Sequence, residues 1–172
     1  MNLYLRLLWT WIAARFKPAI RMGDTIEMSL RVWPGDLDIN GHMNNGRYMT
    51  ITDLAVIEYF TRAGFLPIAL RRGWRPMLGG SMISFRRGLK PFRRYTLRFS
   101  IRCWDERWNY FLFEFEHAGK TMASGLAKGA VVGREGIVHN RDTYGALGLD
   151  GVSPPFPAPI SAWIEADRLI RA

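Results

Sequence analysis

Between residues 25 and 33, polar and apolar side chains alternate. Ile26, Met28, Leu30 and Val32 face one way, and Thr25, Glu27, Ser29 and Arg31 the other. A period of two is that of a half-buried strand, and Pro34-Gly35 ends it. Over residues 45–63 the period lengthens to that of a helix. Tyr48, Ile51, Ala55 and Tyr59 form one stripe, flanked by Leu54, Ile57 and Phe60. Asn44 or Asn45 serves as N-cap, and Gly64 stands where a glycine closes a helix. An apolar face this broad calls for a sheet to wrap it. Residues 65–74 read as a connector with a helical turn. Strand patterns then return over residues 81–89, 96–104, 109–116 and 121–132, with Pro76, Gly79-Gly80 and Pro91 as breaks. The last strand is rich in Gly and Ala, which predicts close packing against it. Residues 133–160 read as loop, and 161–171 as a short amphipathic helix with Trp163, Ile164, Leu169 and Ile170 on its apolar side.

One strand, one long helix and four strands in hairpin order predict an α+β fold, a curved five-stranded antiparallel sheet wrapped around one long central helix. Residues 24–135 carry it. Residues 1–23 form an N-terminal amphipathic segment, and 136–172 a C-terminal extension with a short helix.

Composition narrows the class. At 172 residues the chain fits one domain; near this length a domain buries roughly 70% of its unfolded surface and needs no disulfide or metal staple. A single cysteine, Cys103, excludes an internal disulfide and a cysteine zinc cluster. Its place in an alternating strand makes it a core residue, and a cytoplasmic location follows from the cysteine usage. The net charge of +9 predicts an anionic partner. In residues 1–17, Arg6, Arg15 and Lys17 flank an apolar run that includes Trp9 and Trp11. That run is far short of the ~20 residues a spanning helix needs. Peripheral contact with the inner face of an anionic membrane, packing on the domain and a cleaved signal are the three readings.

The densest polar run lies between the first strand and the helix: Asp36-Leu-Asp-Ile-Asn-Gly-His-Met-Asn-Asn-Gly-Arg-Tyr48. Asp38 can act as general base for water or attack an acyl carbon directly. His42 can polarise a carbonyl or shuttle a proton, and Asn40 can orient a water. The N–H groups of Asn44, Asn45 and Gly46 are left unpaired at a helix start, where the dipole favours an oxyanion. Asp36 reads as a turn and capping residue, and Glu58 as half of a helix-face ion pair. His117 and His139 lack ligand spacing, so no metal site is expected.

The Asp-x-Asn-x-His spacing, followed by Met-Asn-Asn and Tyr at the mouth of a long helix, resembles the hot-dog-fold thioesterases over residues 24–135. The similarity is to their acyl-ACP thioesterase and 4-hydroxybenzoyl-CoA thioesterase-like branches. The resemblance implies hydrolysis of an acyl-CoA or acyl-ACP thioester. CoA or phosphopantetheine would be part of the substrate, with no separate cofactor. By the same resemblance the site lies between subunits of a homodimer or homotetramer. Asp38 matches the catalytic carboxylate of both branches; Asn40 and His42 match polar partners of the acyl-ACP branch only. From Arg86 to Arg102 there are seven basic residues and no acidic one. The loop from Arg86 and Arg87 to Arg94 is the candidate phosphate site, with a solvated or membrane-facing surface as the other reading. Nucleic acid is not expected, because the aromatics keep core periodicity and are not interleaved with the arginines. A non-catalytic acyl-binding or membrane-associated protein of the same fold is the alternative.

Overall fold

The computed structural model describes residues 3–170. In chain order the elements are α1 (Leu3–Ala14), β1 (Ile26–Arg31), α2 (Asn45–Arg62), α3 (Phe65–Arg72), β2 (Arg75–Phe85), β3 (Arg94–Trp104), β4 (Asn109–His117), β5 (Lys120–Gly133), β6 (Gly136–Val138), α4 (Asn140–Gly145) and α5 (Ala158–Ile170). The antiparallel sheet runs β1-β3-β4-β5-β2, and the short β6 adds to it by pairing with β5. The five expected strands are all present, with β6 as a sixth.

The sheet curls around α2, as the breadth of that helix's apolar face requires. Tyr48, Ile51, Leu54, Ala55 and Tyr59 pack against inward residues of β1 (Ile26, Met28), β3 (Leu97, Phe99, Ile101) and β4 (Phe111, Phe113, Phe115). Each such large side chain contributes about 1.5–3 kcal/mol on full burial. Aromatic rings meet edge to face, Tyr48 on Phe115 at 4.8 Å and Tyr59 on Phe99 at 5.5 Å. The small residues of β5 answer to these rings. A Cβ on Gly125 would fall 2.4 Å from the Phe113 ring and from the Met82 carbonyl.

Three expectations need correcting. The strand expected at 81–89 instead spans Arg75–Phe85 and runs straight through Pro76 and Gly79-Gly80. It lies at the sheet's edge, where a proline costs no ladder bond on the open side. The register slips between Leu78 and Gly80, and Gly79 is required there because a Cβ would strike the Trp108 ring at 2.0 Å. A second slip, between Ile101 and Cys103, breaks the alternation of β3. Cys103 is buried, as expected, but outside the main core, with Tyr110, Leu126 and Ile160; Trp104 takes the inward place. That outer layer is roofed by α5 through Ile160, Trp163 and Ile164.

The third correction is that residues 133–160, expected as loop, contain β6 and α4. Tyr144 of α4 stacks on Trp104 at 4.1 Å and donates a 2.7 Å hydrogen bond to Asn109. Asn109 in turn donates to Asn140 at 2.9 Å. The N-terminal segment is built in as well. Arg6, Thr10 and Ala14 of α1 are buried, and Lys17 beyond it reaches Glu58 of α2 at 2.7 Å. Arg62 holds the other carboxylate oxygen of Glu58 at 3.0 Å, the helix-face ion pair expected for this residue.

Candidate active site

The polar run between β1 and α2 folds into a tight turn braced from below. Asp36 is buried. Its Oδ2 accepts from Arg6 Nη2 at 2.8 Å and from the Trp33 N–H at 2.9 Å, and Arg47 Nε stands 3.5 Å from Oδ1. The Asp36 carbonyl accepts the Asn44 N–H at 2.8 Å. Asp36 is therefore structural: it fixes the start of the turn and the start of α2 together.

Asp38 sits on that brace. Its N–H donates to the His42 carbonyl at 2.9 Å, and its own carbonyl accepts the Gly41 N–H at 3.1 Å. Gly41 has φ +72°, the left-handed region that glycine occupies without penalty. Asp38 Oδ1 accepts the Asn40 N–H at 2.8 Å and the His42 N–H at 3.4 Å, an Asx turn. The second oxygen, Oδ2, has no hydrogen-bond partner among the described residues. Leu37 bridges Met43 across the base of the turn, and the Met43 N–H donates to the Leu89 carbonyl at 2.8 Å. The loop after β2 is thereby drawn against the site. Gly88 lies so close to the His42 ring that a Cβ there would stand 2.6 Å from it.

Asp38, Asn40 and His42 thus share one turn. Asp38 and His42 are half-buried and Asn40 is exposed. Arg86 and Arg87 are brought beside this turn, flanking the Gly88 that touches His42. Arg94 is not: it starts β3, opposite Arg31 of β1. Arg86, Arg87, Lys90, Arg93 and Arg94 are exposed and make no ion pair among the described residues. Arg98 is engaged, with Glu27 at 2.8 Å and Glu116 at 2.9 Å.

The helix start corrects the expectation of three bare N–H groups. The Asn44 N–H is taken by Asp36, and the Gly46 N–H by the Asn44 side chain at 2.8 Å. Asn44 is an N-cap in the strict sense. Of the three, Asn45 alone keeps an N–H with no acceptor among the described residues, at the positive end of an 18-residue helix.

Two residues of α2 carry electrostatic features that the sequence pattern alone did not show. Burial raises the pKa of the Tyr48 phenol; a hydrogen bond with the Leu89 backbone opposes the rise, and the charge of Asp38 adds to it. Tyr48, which the sequence placed both at the end of the motif and in the core stripe, thus feels the charge of Asp38 from the core side. Asp53, two turns along α2, borders an apolar cavity of about 100 Å³ together with Met49, Val56, Met77, Phe111 and Val131. Asp53 is exposed as a residue, but desolvation against these apolar neighbours raises the pKa of its carboxyl. Its position between Met49 and Val56, at i+4 and i+3 spacing, is a readable signal that a carboxylate faces apolar neighbours. The cavity does not include Asp38 or His42; it is reached farther along α2, beneath the β2 edge.

Comparison with known proteins follows this geometry. A family model described as the thioesterase-like superfamily matches residues 32–164. Protein THEM6 of Xenopus laevis is 26% identical over 137 residues, covering 78% of this chain and 64% of that protein. Thioesterase poxG of Penicillium oxalicum is 32% identical over 105 residues, covering 52% of this chain and 35% of that protein. The chain thus spans less than two-thirds of either relative. Among solved structures, BH1999 gentisyl-coenzyme A thioesterase aligns with TM-score 0.63 and 20% identity, over 69% of this chain and 98% of that one. YbaW, a probable thioesterase from Escherichia coli, aligns with TM-score 0.64 and 13% identity, over 71% and 98%. The fold is the hot-dog fold expected from the sequence. With more than half of its length matched, from the residue that follows β1 into α5, the chain belongs to the thioesterase-like superfamily.

Proposed function

We propose that the protein hydrolyses acyl thioesters carried on CoA or on an acyl carrier protein. The observation that carries this reading is that the segment from Asp38 to Asn45 offers a carboxylate oxygen, Asp38 Oδ2, and a helix-start donor, the Asn45 N–H, neither with a hydrogen-bond partner among the described residues. Asp38 Oδ1 is pinned by two backbone N–H groups, so the carboxylate is oriented before substrate arrives. Asp38 takes a proton from water as the oxygen adds to the thioester carbon. The carbonyl oxygen becomes an oxyanion at the Asn45 N–H, where one such donor is typically worth about 3 kcal/mol in the transition state. The C–S bond then breaks as the oxyanion collapses, the thiolate leaves and takes the proton held by Asp38, and the carboxylic acid and the ionised Asp38 remain. His42 and Asn40 assist by positioning water and polarising the carbonyl. Arg86 and Arg87 suit the phosphates of CoA, or an acidic carrier, by charge.

The reading includes a homodimer built on β2. This strand forms one edge of the sheet over 11 residues, with Met77, Leu78, Met82 and Phe85 exposed. A long apolar edge of this kind is a template for pairing with another chain. Met77 and Leu78 also line the cavity, so a second copy on that edge would close it.

The test is thiol release across a panel of acyl-CoAs and acyl carrier protein thioesters, with Asp38→Asn alongside. The variant is expected to lose roughly 10²- to 10⁴-fold in turnover, the usual weight of a positioned base, while its circular dichroism and thermal unfolding stay unchanged. Near-unaltered hydrolysis by Asp38→Asn would remove the role assigned to this residue. Acyl-CoA binding without turnover of any thioester would replace the enzyme reading by that of a non-catalytic acyl-binding protein.

A further inference from the structure

On a helix that rests against a water-soluble domain, the polar residues belong outside. Helix α1 has the opposite arrangement. Its exposed residues are Tyr4, Leu5, Leu8, Trp9 and Ile12, at 77%, 60%, 52%, 70% and 38% exposure. Its two polar side chains, Arg6 and Thr10, are the ones turned inward and buried. Phe16, just past the helix, continues the outward row at 86% exposure.

Charge surrounds this row with one sign. Residues 1–23 contain four basic side chains (Arg6, Arg15, Lys17, Arg21) and no acidic one. Residues 61–104 contain eleven basic side chains and again no acidic one. Beside α1, a cleft of about 340 Å³ opens toward α3, lined by Trp11, Arg15, Lys17, Arg62, Leu66 and Leu70 among others. The acidic residue behind it, Glu58, is buried and already bound by Lys17 and Arg62. Arg71 and Arg72 follow the exposed Leu70 at the end of α3.

We propose that the outward face of α1, together with this cationic cleft, seats the protein on an anionic lipid bilayer, with the helix lying in the plane of the headgroups. Twelve residues make a helix about 18 Å long, against a hydrocarbon core of ~30 Å, and no described helix is long and apolar enough to cross a membrane. The aliphatic side chains of α1 enter the acyl region, Trp9 and Tyr4 sit at the headgroup boundary, and Arg15, Arg71 and Arg72 meet lipid phosphates. A second copy of the chain fits this face poorly. Apposing two such surfaces would set the same cations against each other.

The proposal is tested by co-sedimenting the full chain with vesicles of phosphatidylcholine alone or mixed with phosphatidylglycerol. The full chain is expected on the mixed vesicles and to leave them as salt rises, because the screening length falls from about 10 Å at 0.1 M to 3 Å at 1 M. Leu8→Glu and Trp9→Glu are each expected to lower the partition by roughly tenfold or more. Both sites are exposed, so thermal unfolding should be unchanged. Leu169→Glu, at an exposed position of α5, serves as control and should bind as the unaltered protein does. Absence of binding to either vesicle would overturn the proposal, as would full binding by Leu8→Glu and Trp9→Glu. It would also be overturned if those two changes left vesicle binding intact and instead split an oligomer, assigning the face to a second copy.

Discussion

Asp36 and Asp38 are separated by one leucine and share a side chain, yet the fold gives them opposite duties. Asp36 is sealed beneath the turn between Arg6 and Arg47, whereas Asp38 keeps one oxygen open. The sequence carried that distinction as far as the Asp-x-Asn-x-His spacing, in which Asp38 has a place and Asp36 has none. It did not show that Arg6, 30 residues earlier, is the partner of Asp36, because nothing local links an N-terminal helix to a turn. Asp36→Ala leaves the Arg6 guanidinium buried without its carboxylate. Urea unfolding is expected to show a loss of about 3–5 kcal/mol, the range for a broken buried pair; a change near zero would mean the pair is not buried in solution. Asp53 behaves differently. The residue is exposed, but desolvation by the apolar wall of the cavity holds its carboxyl pKa above the ordinary value, so the folded state keeps this proton more tightly than the unfolded chain does. The ionised group therefore subtracts from stability at neutral pH, and the penalty fades as pH falls through the folded pKa toward the unfolded one. Asp53→Asn is expected to melt at a higher temperature than the unaltered protein near neutral pH, with the gap closing on acidification. A lower melting temperature at neutral pH would contradict this sign.

At the level of elements, alternation was the reliable guide. It located β1, β3, β4 and β5 and the faces they bury, because a period of two survives wherever one side of a strand meets a core. It failed at the two slips of register. In β3 the slip sends Cys103 outward; in β2 the slip admits Gly79 and lets the strand continue past residues that read as breaks. Neither slip has a local signature, since each is set by the neighbouring strand. The position of β2 at the edge explains why Pro76 is tolerated, and it gives the proposed dimer a specific weak point. Lysines at Leu78 and Met82 would place charge along that edge, a device that keeps natural edges apart. The doubly substituted chain is expected to sediment with half the mass of the unaltered protein, with its circular dichroism preserved. An unaltered mass would move the subunit interface away from β2.

For the molecule as a whole, the sequence made legible one helix in one sheet, and it left open how the two ends join it. Packing on the domain was one of three readings of the N-terminal segment, and the pattern after residue 133 is short and interrupted by Pro and Gly. Residues from 136 onward carry Asn140 and Tyr144, whose bonds to Asn109 complete the interior, and α5 roofs the outer face of the sheet. The N-terminal segment carries Arg6 and Lys17, and these reach the two carboxylates that the fold buries most deeply, Asp36 and Glu58, each 1% exposed. Trimming the chain at Pro18, the natural choice for anyone wishing to study the hot-dog domain without its apolar N-terminal segment, therefore removes a cation from each of two interior anions in a single cut. What remains has lost part of its foundations, and a silent assay of such a fragment reports on a collapsed building, with no bearing on whether the doorway at Asp38 was ever in use.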